Sequence, residues 1–347
     1  MSIAANYWAA KSWDITLLTF DNGVSRPFYD LDNRVRHIAL DLMNDSKTLT
    51  ASVISNVRRL FVLREAIKDS RPEALISFVD KTNIMTLLAS CWLSVPVLVS
   101  ERMDPVKYPI GPIWERLRLL TYPLASSLVV QSERALSYFP PKIQSRAHVI
   151  PNPVLACSSK CETLQSQRIS KPFVMAIGRL VPQKGFDILL QSFARVRETY
   201  PDWSLIIVGE GPLRGQLEAL RDKLGLEGGV FFPGRIKAIH EILNHADLFV
   251  MSSRFEGFPN ALCEAMACGL PVISTDCPSG PREIITSGVD GMLIPSEDTD
   301  SLTCAMNRLM SDETERRRLA FNAKDITSRF NLERIMSNWE DVLAEVR

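Results

Sequence analysis

Short apolar runs alternate along this chain with segments of helical periodicity, a pattern that predicts parallel strands joined by helical crossovers and hence an α/β fold. In the first half the strand-like runs are residues 15–20, 74–78, 95–100, 127–131 and 148–151. In the second half they are 173–178, 204–208, 230–233, 248–252, 272–274 and 291–294. Helices fit between them, as at 186–199, 211–223 and 236–244. Two doubly wound, Rossmann-like parallel-sheet units result. They divide near Pro151-Asn152-Pro153, where two prolines forbid the interior of a strand or helix. The expected organisation is a first domain over 1–155, a polar, aperiodic linker at 156–170 and a second domain over 171–330. A C-terminal helix at 331–347 is expected to pack back on the first domain.

Composition narrows the class. The chain has 347 residues, 46% hydrophobic and 23% charged, the profile of a soluble two-domain protein. Net charge is zero, yet residues 1–170 hold 20 Lys/Arg against 15 Asp/Glu, and residues 171–347 hold 20 against 25. The basic half either faces phosphate or an anionic membrane, or reflects ordinary variation between domains. Seven cysteines are scattered singly, without a Cys-x-x-Cys pair, and the odd count argues against a complete disulfide framework. A reducing cytoplasm is expected, with no structural zinc and no nucleic-acid partner. No basic segment followed by an apolar stretch opens the chain, and no run approaches the roughly 20 apolar residues that span a bilayer. The expected location is cytoplasmic, at most peripheral on the inner membrane face.

The start of the chain is unusual. Residues 1–12 read as the end of an amphipathic helix feeding the strand at 15–20, whereas a doubly wound domain ordinarily begins with a strand and a glycine-rich turn. Either Met1 is an internal methionine of a longer reading frame, or the protein is naturally shortened, or the domain starts with a helix. An in-frame stop immediately upstream would eliminate the first.

Four motifs concentrate the chemistry. The stretch Glu256-Gly257-Phe258-Pro259-Asn260-Ala261-Leu262-Cys263-Glu264 places one carboxylate in a loop and a second on the following helix. Unpaired amides of Asn260, Ala261 and Leu262 at that helix start would favour an anion, and Pro259 suits the first turn. Glu264 sits among apolar residues, where a charge is costly unless hydrogen-bonded. Gly178-Arg179 and Lys184-Gly185 bound a loop that can hold two cations over a phosphate pair. Gly209-Glu210-Gly211-Pro212 and the turn-rich run from Asp276 to Glu283 complete the set.

In this order the motifs resemble the nucleotide-sugar domain of glycosyltransferase family 4, retaining enzymes of the GT-B type whose two Rossmann-like domains face a cleft. The resemblance implies that Arg179 and Lys184 contact the donor diphosphate and that Glu264 receives the ribose hydroxyls. It places Glu256 and its loop (Gly257, Phe258, Pro259) near the transferred sugar, and assigns Gly209, Gly234 and Arg235 to the donor site. It implies no metal or other cofactor, and Asp30-Leu31-Asp32 reads as a surface loop rather than a metal dyad. None of His37, His148, His240 and His245 sits in a catalytic motif. The Asp276–Glu283 variant resembles bacterial enzymes of capsule, exopolysaccharide and O-antigen synthesis, many using UDP-hexoses or UDP-N-acetylhexosamines. Glu101 and Arg102, after a first-domain strand, are acceptor-side candidates or a structural Glu–Arg pair. The basic stretches 57–64 and 114–120 would either lie on a membrane beside a lipid-linked glycan acceptor or face the core with a solvated rim. The reaction expected is transfer of a hexose or N-acetylhexosamine from a UDP-sugar. The alternatives are GDP-mannose or an ADP-sugar as donor, or a non-catalytic nucleotide-binding remnant.

Overall fold

The computed structural model describes residues 1–24, 27, 29–43, 49–157, 172–237 and 239–346, with side chains from residue 54 onward in the helix that begins at Leu49. Residues 158–170 of the expected linker, with Cys161, lie outside the described residues. The chain forms two units: Met1–Val130 with Leu136–Ile150 and Met336–Arg347, and Gln131–Ala135 with Pro151–Ile335.

The first unit opens with α1 (Ser2–Ala10), which buries Ala5, Trp8 and Ala9. Strands β1 (Thr16–Thr19) and β2 (Arg36–Ala39) pair in parallel as a separate two-stranded sheet. Helix α2 (Leu49–Ser70) leads to β3 (Leu75–Phe78), α3 (Asp80–Ser90), β4 (Val97–Ser100), α4 (Pro112–Thr121), β5 (Ser127–Val130) and β6 (Ala147–Val149). The last four strands make a parallel sheet in chain order. β2 is a strand that the apolar pattern missed, because Arg36 and His37 break its run.

The second unit contains β7 (Phe173–Ile177), α5 (Phe186–Thr199), β8 (Ser204–Val208), α6 (Arg214–Lys223), β9 (Val230–Gly234), α7 (Ile239–Leu243) and β10 (Leu248–Met251). Then follow α8 (Asn260–Ala267), β11 (Val272–Thr275), β12 (Met292–Ile294), α9 (Thr299–Ser311) and α10 (Leu332–Val346), the last belonging to the first unit from Met336 onward. Alternate residues of each central strand enter opposite cores: Val174, Ala176, Leu248 and Val250 on one face, Phe173, Met175, Phe249 and Met251 on the other. Such two-sided burial is why these strands read as unbroken apolar runs. The parallel order β12-β11-β10-β7-β8-β9 reverses direction between β7 and β10. At such a switch point the loops leaving adjacent strands diverge to opposite faces and open a crevice at the carboxyl ends. No helix among the described residues is long and apolar enough to cross a membrane.

Candidate functional site

The loops leaving β7 and β10 are locked to each other. After β7 the chain makes a short turn, Pro182–Lys184, closed by Gly185 in the left-handed region at φ 61°. A Cβ at Gly185 would lie 2.1 Å from the carbonyl oxygen of Ser252, so only glycine lets this backbone touch the end of β10. Ser252 Oγ donates to the Lys184 carbonyl (2.9 Å), Gln183 Nε2 to that of Phe255 (2.9 Å), and the Arg254 amide to that of Gln183 (2.8 Å). The Arg254 guanidinium forks onto Asp187 (2.8 and 3.0 Å) and reaches Glu297 (2.9 Å). Burial alone would raise the Asp187 pKa, but the Arg254 hydrogen bonds and charge outweigh it and hold the carboxyl below its usual range. Sequence reasoning missed Gln183, Asp187, Ser253 and Arg254. The available signal was position: each lies within three residues of Lys184 or Glu256.

This lock delivers Lys184 to Glu256. Lys184 Nζ lies 2.5 Å from Glu256 Oε1, and Ser253 Oγ donates to the same oxygen at 2.6 Å. The Glu256 side chain is 6% exposed and that of Lys184 18%, so the pair sits largely out of water. Thr275 Oγ1 fixes the Ser253 carbonyl (2.6 Å), and the thiol of Cys277 is pushed up to about 12 by burial and by the charge of Glu256. A buried pair of this kind is costly to break from one side, because the remaining charge is stranded.

The start of α8 differs from expectation. Pro259 adopts φ −80°, ψ 77°, an inverse γ-turn in which the Asn260 amide donates to the Phe258 carbonyl (3.0 Å). The Leu262 amide is spent on the Pro259 carbonyl (3.1 Å). Of the three amides expected to be open, only that of Ala261 lacks a hydrogen bond among the described residues, where it is joined by the amides of Gly257 and Phe258. The side chains of Phe258 and Leu262 belong to the core, the Phe258 ring edge-on to Phe330 at 5.5 Å, so these two residues offer only backbone. Gly280, at φ 96°, packs its turn against Pro259. One helical turn into α8, Glu264 is half-buried, its carboxylate has no hydrogen-bond partner among the described residues, and burial raises its pKa to about 7.

Arg179, directly after β7, is exposed and has no side-chain partner among the described residues; the same holds for Arg235 after β9. Between them, Gly209 follows β8 at φ 150°, where a Cβ would lie 1.8 Å from the Gly178 carbonyl oxygen. Gly234 ends β9 at φ 85° beside Glu210, whose carboxylate is held by Arg214. Among the described residues, the carboxyl ends of β7, β8, β9 and β10 thus present two guanidiniums without partners, one lysine–glutamate pair, open amides and an unpartnered carboxyl. That set suits a ligand with a phosphate group and hydroxyls.

Glu101 and Arg102, the acceptor-side candidates, lie in the first unit, each against a buried neighbour. Glu101 is 3% exposed; its carboxyl accepts from Tyr122 Oη and lies 3.7 Å from Arg118 Nε. Burial raises its pKa to about 7 against the pull of Arg118 and Tyr122. Arg102 lies over the rings of Phe78 (4.8 Å) and Trp339 (5.7 Å), and burial lowers its pKa to about 10. The cation beside the Glu101 carboxylate is therefore Arg118 on α4. Asp32 is spent on Arg34 (2.8 and 2.9 Å), as a surface loop would be.

Comparison with known proteins bears on the fold and on the class of enzyme. Residues 162–326 match the family model of glycosyl transferases group 1. The chain is 29% identical, over 97% of its length and 92% of the relative's, to a Campylobacter jejuni enzyme that is named as an α-1,4-N-acetyl-D-galactosaminyltransferase acting on a diphospho-undecaprenol-linked glycan. Among solved structures it resembles sucrose-phosphate synthase from Thermosynechococcus elongatus (TM-score 0.83, 19% identity, covering 99% of this chain and 91% of that one). It also resembles Anabaena HepE in complex with UDP (TM-score 0.70, 21% identity, covering 90% and 86%). The fold is that of the GT-B glycosyltransferases, built from Rossmann-like parallel sheets.

Proposed function

We propose, from the premise that the chain is a glycosyltransferase, that it is a retaining family 4 enzyme taking a UDP-hexose or UDP-N-acetylhexosamine at the carboxyl ends of β7 and β10. The observation that carries this reading is the Lys184–Glu256–Ser253 contact, flanked by Arg179 and by the amides of Gly257, Phe258 and Ala261, all without partners among the described residues. Departure of a nucleoside diphosphate builds up negative charge, and fixed cations and amides aimed at it stabilise the transition state. Arg179 and Lys184 take the diphosphate, Glu264 the ribose hydroxyls, and the Gly209, Gly234 and Arg235 loops frame the nucleobase. Glu256, already neutralised in part by Lys184, suits orientation of the sugar better than nucleophilic attack. This favours front-face transfer, with the departing phosphate accepting the acceptor's proton.

For the acceptor we propose a lipid-linked glycan of cell-surface polysaccharide synthesis, in keeping with the named activity of the Campylobacter relative. Exposed Val57, Arg58 and Phe61 on α2, and Ile113, Arg116 and Leu120 on α4, give each helix an apolar stripe with a cation. Such a stripe suits peripheral contact with an anionic bilayer. The test offers UDP-, GDP- and ADP-sugars with polyprenyl-diphosphate glycans, without added magnesium or manganese. Transfer from UDP-sugars with retained anomeric configuration is the expected result. Inverted product, or turnover only with another nucleotide, would overturn the corresponding part.

A further inference from the structure

Away from the catalytic motifs, three side chains remote in sequence converge in the second unit. Cys157 follows the Pro151-Asn152-Pro153 turn, His240 lies on α7, and Cys268 caps the C-terminus of α8. One ligand atom from each falls within 4.8 Å of the other two, with Cys268 Sγ 3.7 Å from His240 Nδ1. All three are half-buried, and no disulfide joins the cysteines. In a tetrahedral zinc site, metal–sulfur and metal–nitrogen bonds of about 2.3 and 2.0 Å set the ligand atoms roughly 3.6–3.8 Å apart. The Cys268–His240 distance of 3.7 Å already matches that, and Cys157 Sγ lies within 4.8 Å of both.

We propose that Cys157, His240 and Cys268 form a site for a thiophilic divalent cation, zinc in the first place. Two thiolates and a neutral imidazole supply three ligands of a Cys2His set. The Asn244 side-chain oxygen, 3.2 Å from Cys157 Sγ, or a water occupies the fourth position. Binding replaces two thiol protons by one dication, so the net charge of the site is unchanged and about two protons are released per ion at neutral pH. The ion clasps the segment after Pro153 to the ends of α7 and α8. Because Cys268 lies one turn beyond Glu264, the clasp also steadies the helix that presents that carboxylate. The role is structural and leaves the chemistry at Lys184 and Glu256 independent of metal. Single cysteines in sequence gave no sign of it, since the spacings of 83 and 28 residues match no zinc motif.

Cobalt(II) is the probe, titrated into the reduced, metal-free full chain and then displaced by zinc. Expected are one ion per chain, a thiolate-to-cobalt charge-transfer band with intense tetrahedral visible bands, and release of about two protons. Affinity should fall at least about 100-fold in Cys157→Ser, Cys268→Ser and His240→Gln and stay unchanged in Cys304→Ser, whose thiol is exposed elsewhere. Zinc should raise the Tm of the parent and not of Cys268→Ser. The absence of a charge-transfer band, or a band that survives in Cys268→Ser, would overturn the assignment. Reversible loss of two thiols to oxidation without metal uptake would also overturn it and would make the pair a disulfide.

Discussion

Lys184→Ala is expected to lower kcat/KM for sugar transfer by about 10²–10³-fold, the usual loss when one preorganised donor to a developing anion is removed. The same change strands Glu256 at 6% side-chain exposure, with Ser253 as its remaining donor. Breaking a buried pair from one side costs about 3–5 kcal/mol, so denaturant midpoint and activity should both fall. The two losses separate in the double variant Lys184→Met with Glu256→Gln. Without a stranded charge, most of the stability should return, while transfer stays at least as low as in Lys184→Ala. A Lys184→Ala protein that transferred sugar at the parental rate would remove Lys184 from the reaction.

Glu264→Gln is expected to flatten a pH dependence that the parent shows. Burial raises the Glu264 pKa from 4.5 to about 7, so the folded state binds the proton more tightly than the unfolded one. The stability this contributes is fully present below pH 4.5 and is lost as pH rises through 7, on the order of 3 kcal/mol in all. On the proposed assignment, ribose hydroxyls would donate to the ionised form, so nucleotide affinity should move oppositely and strengthen between pH 6 and 8. In the glutamine variant, stability should gain on the alkaline side, and nucleotide affinity should weaken about tenfold at pH 8 for the lost charged hydrogen bonds. Calorimetric titration of UDP at several pH values, beside denaturant melts, reads both. Equal affinity and equal pH slopes in parent and variant would place Glu264 outside the site.

The second unit was readable because its strands are buried on both sides, so that Phe173–Ile177 and Ser204–Val208 stand out as apolar runs between helical segments. The order of strands in space was not readable, and it is the reversal between β7 and β10 that brings the Gly178–Gly185 and Ser253–Glu256 loops together. Lys184 and Glu256 are 72 positions apart, and only resemblance to a family put both in one site. Of the three amides expected to be open, that of Asn260 is spent because the backbone at Pro259 folds into a γ-turn, which composition does not reveal, and that of Leu262 on the Pro259 carbonyl. Glu101 illustrates the same limit in the first unit: its cationic partner is Arg118 on α4 rather than adjacent Arg102, whose guanidinium is taken up by Phe78 and Trp339.

The central claim is that the crevice at the ends of β7 and β10 binds a nucleoside diphosphate through protein cations and amides. Calorimetric binding of UDP, GDP and ADP to the purified chain, without added magnesium or manganese, tests it most directly. The account predicts one site that prefers UDP and is weakened by Arg179→Ala. Failure of all three nucleotides to bind a folded chain would contradict it.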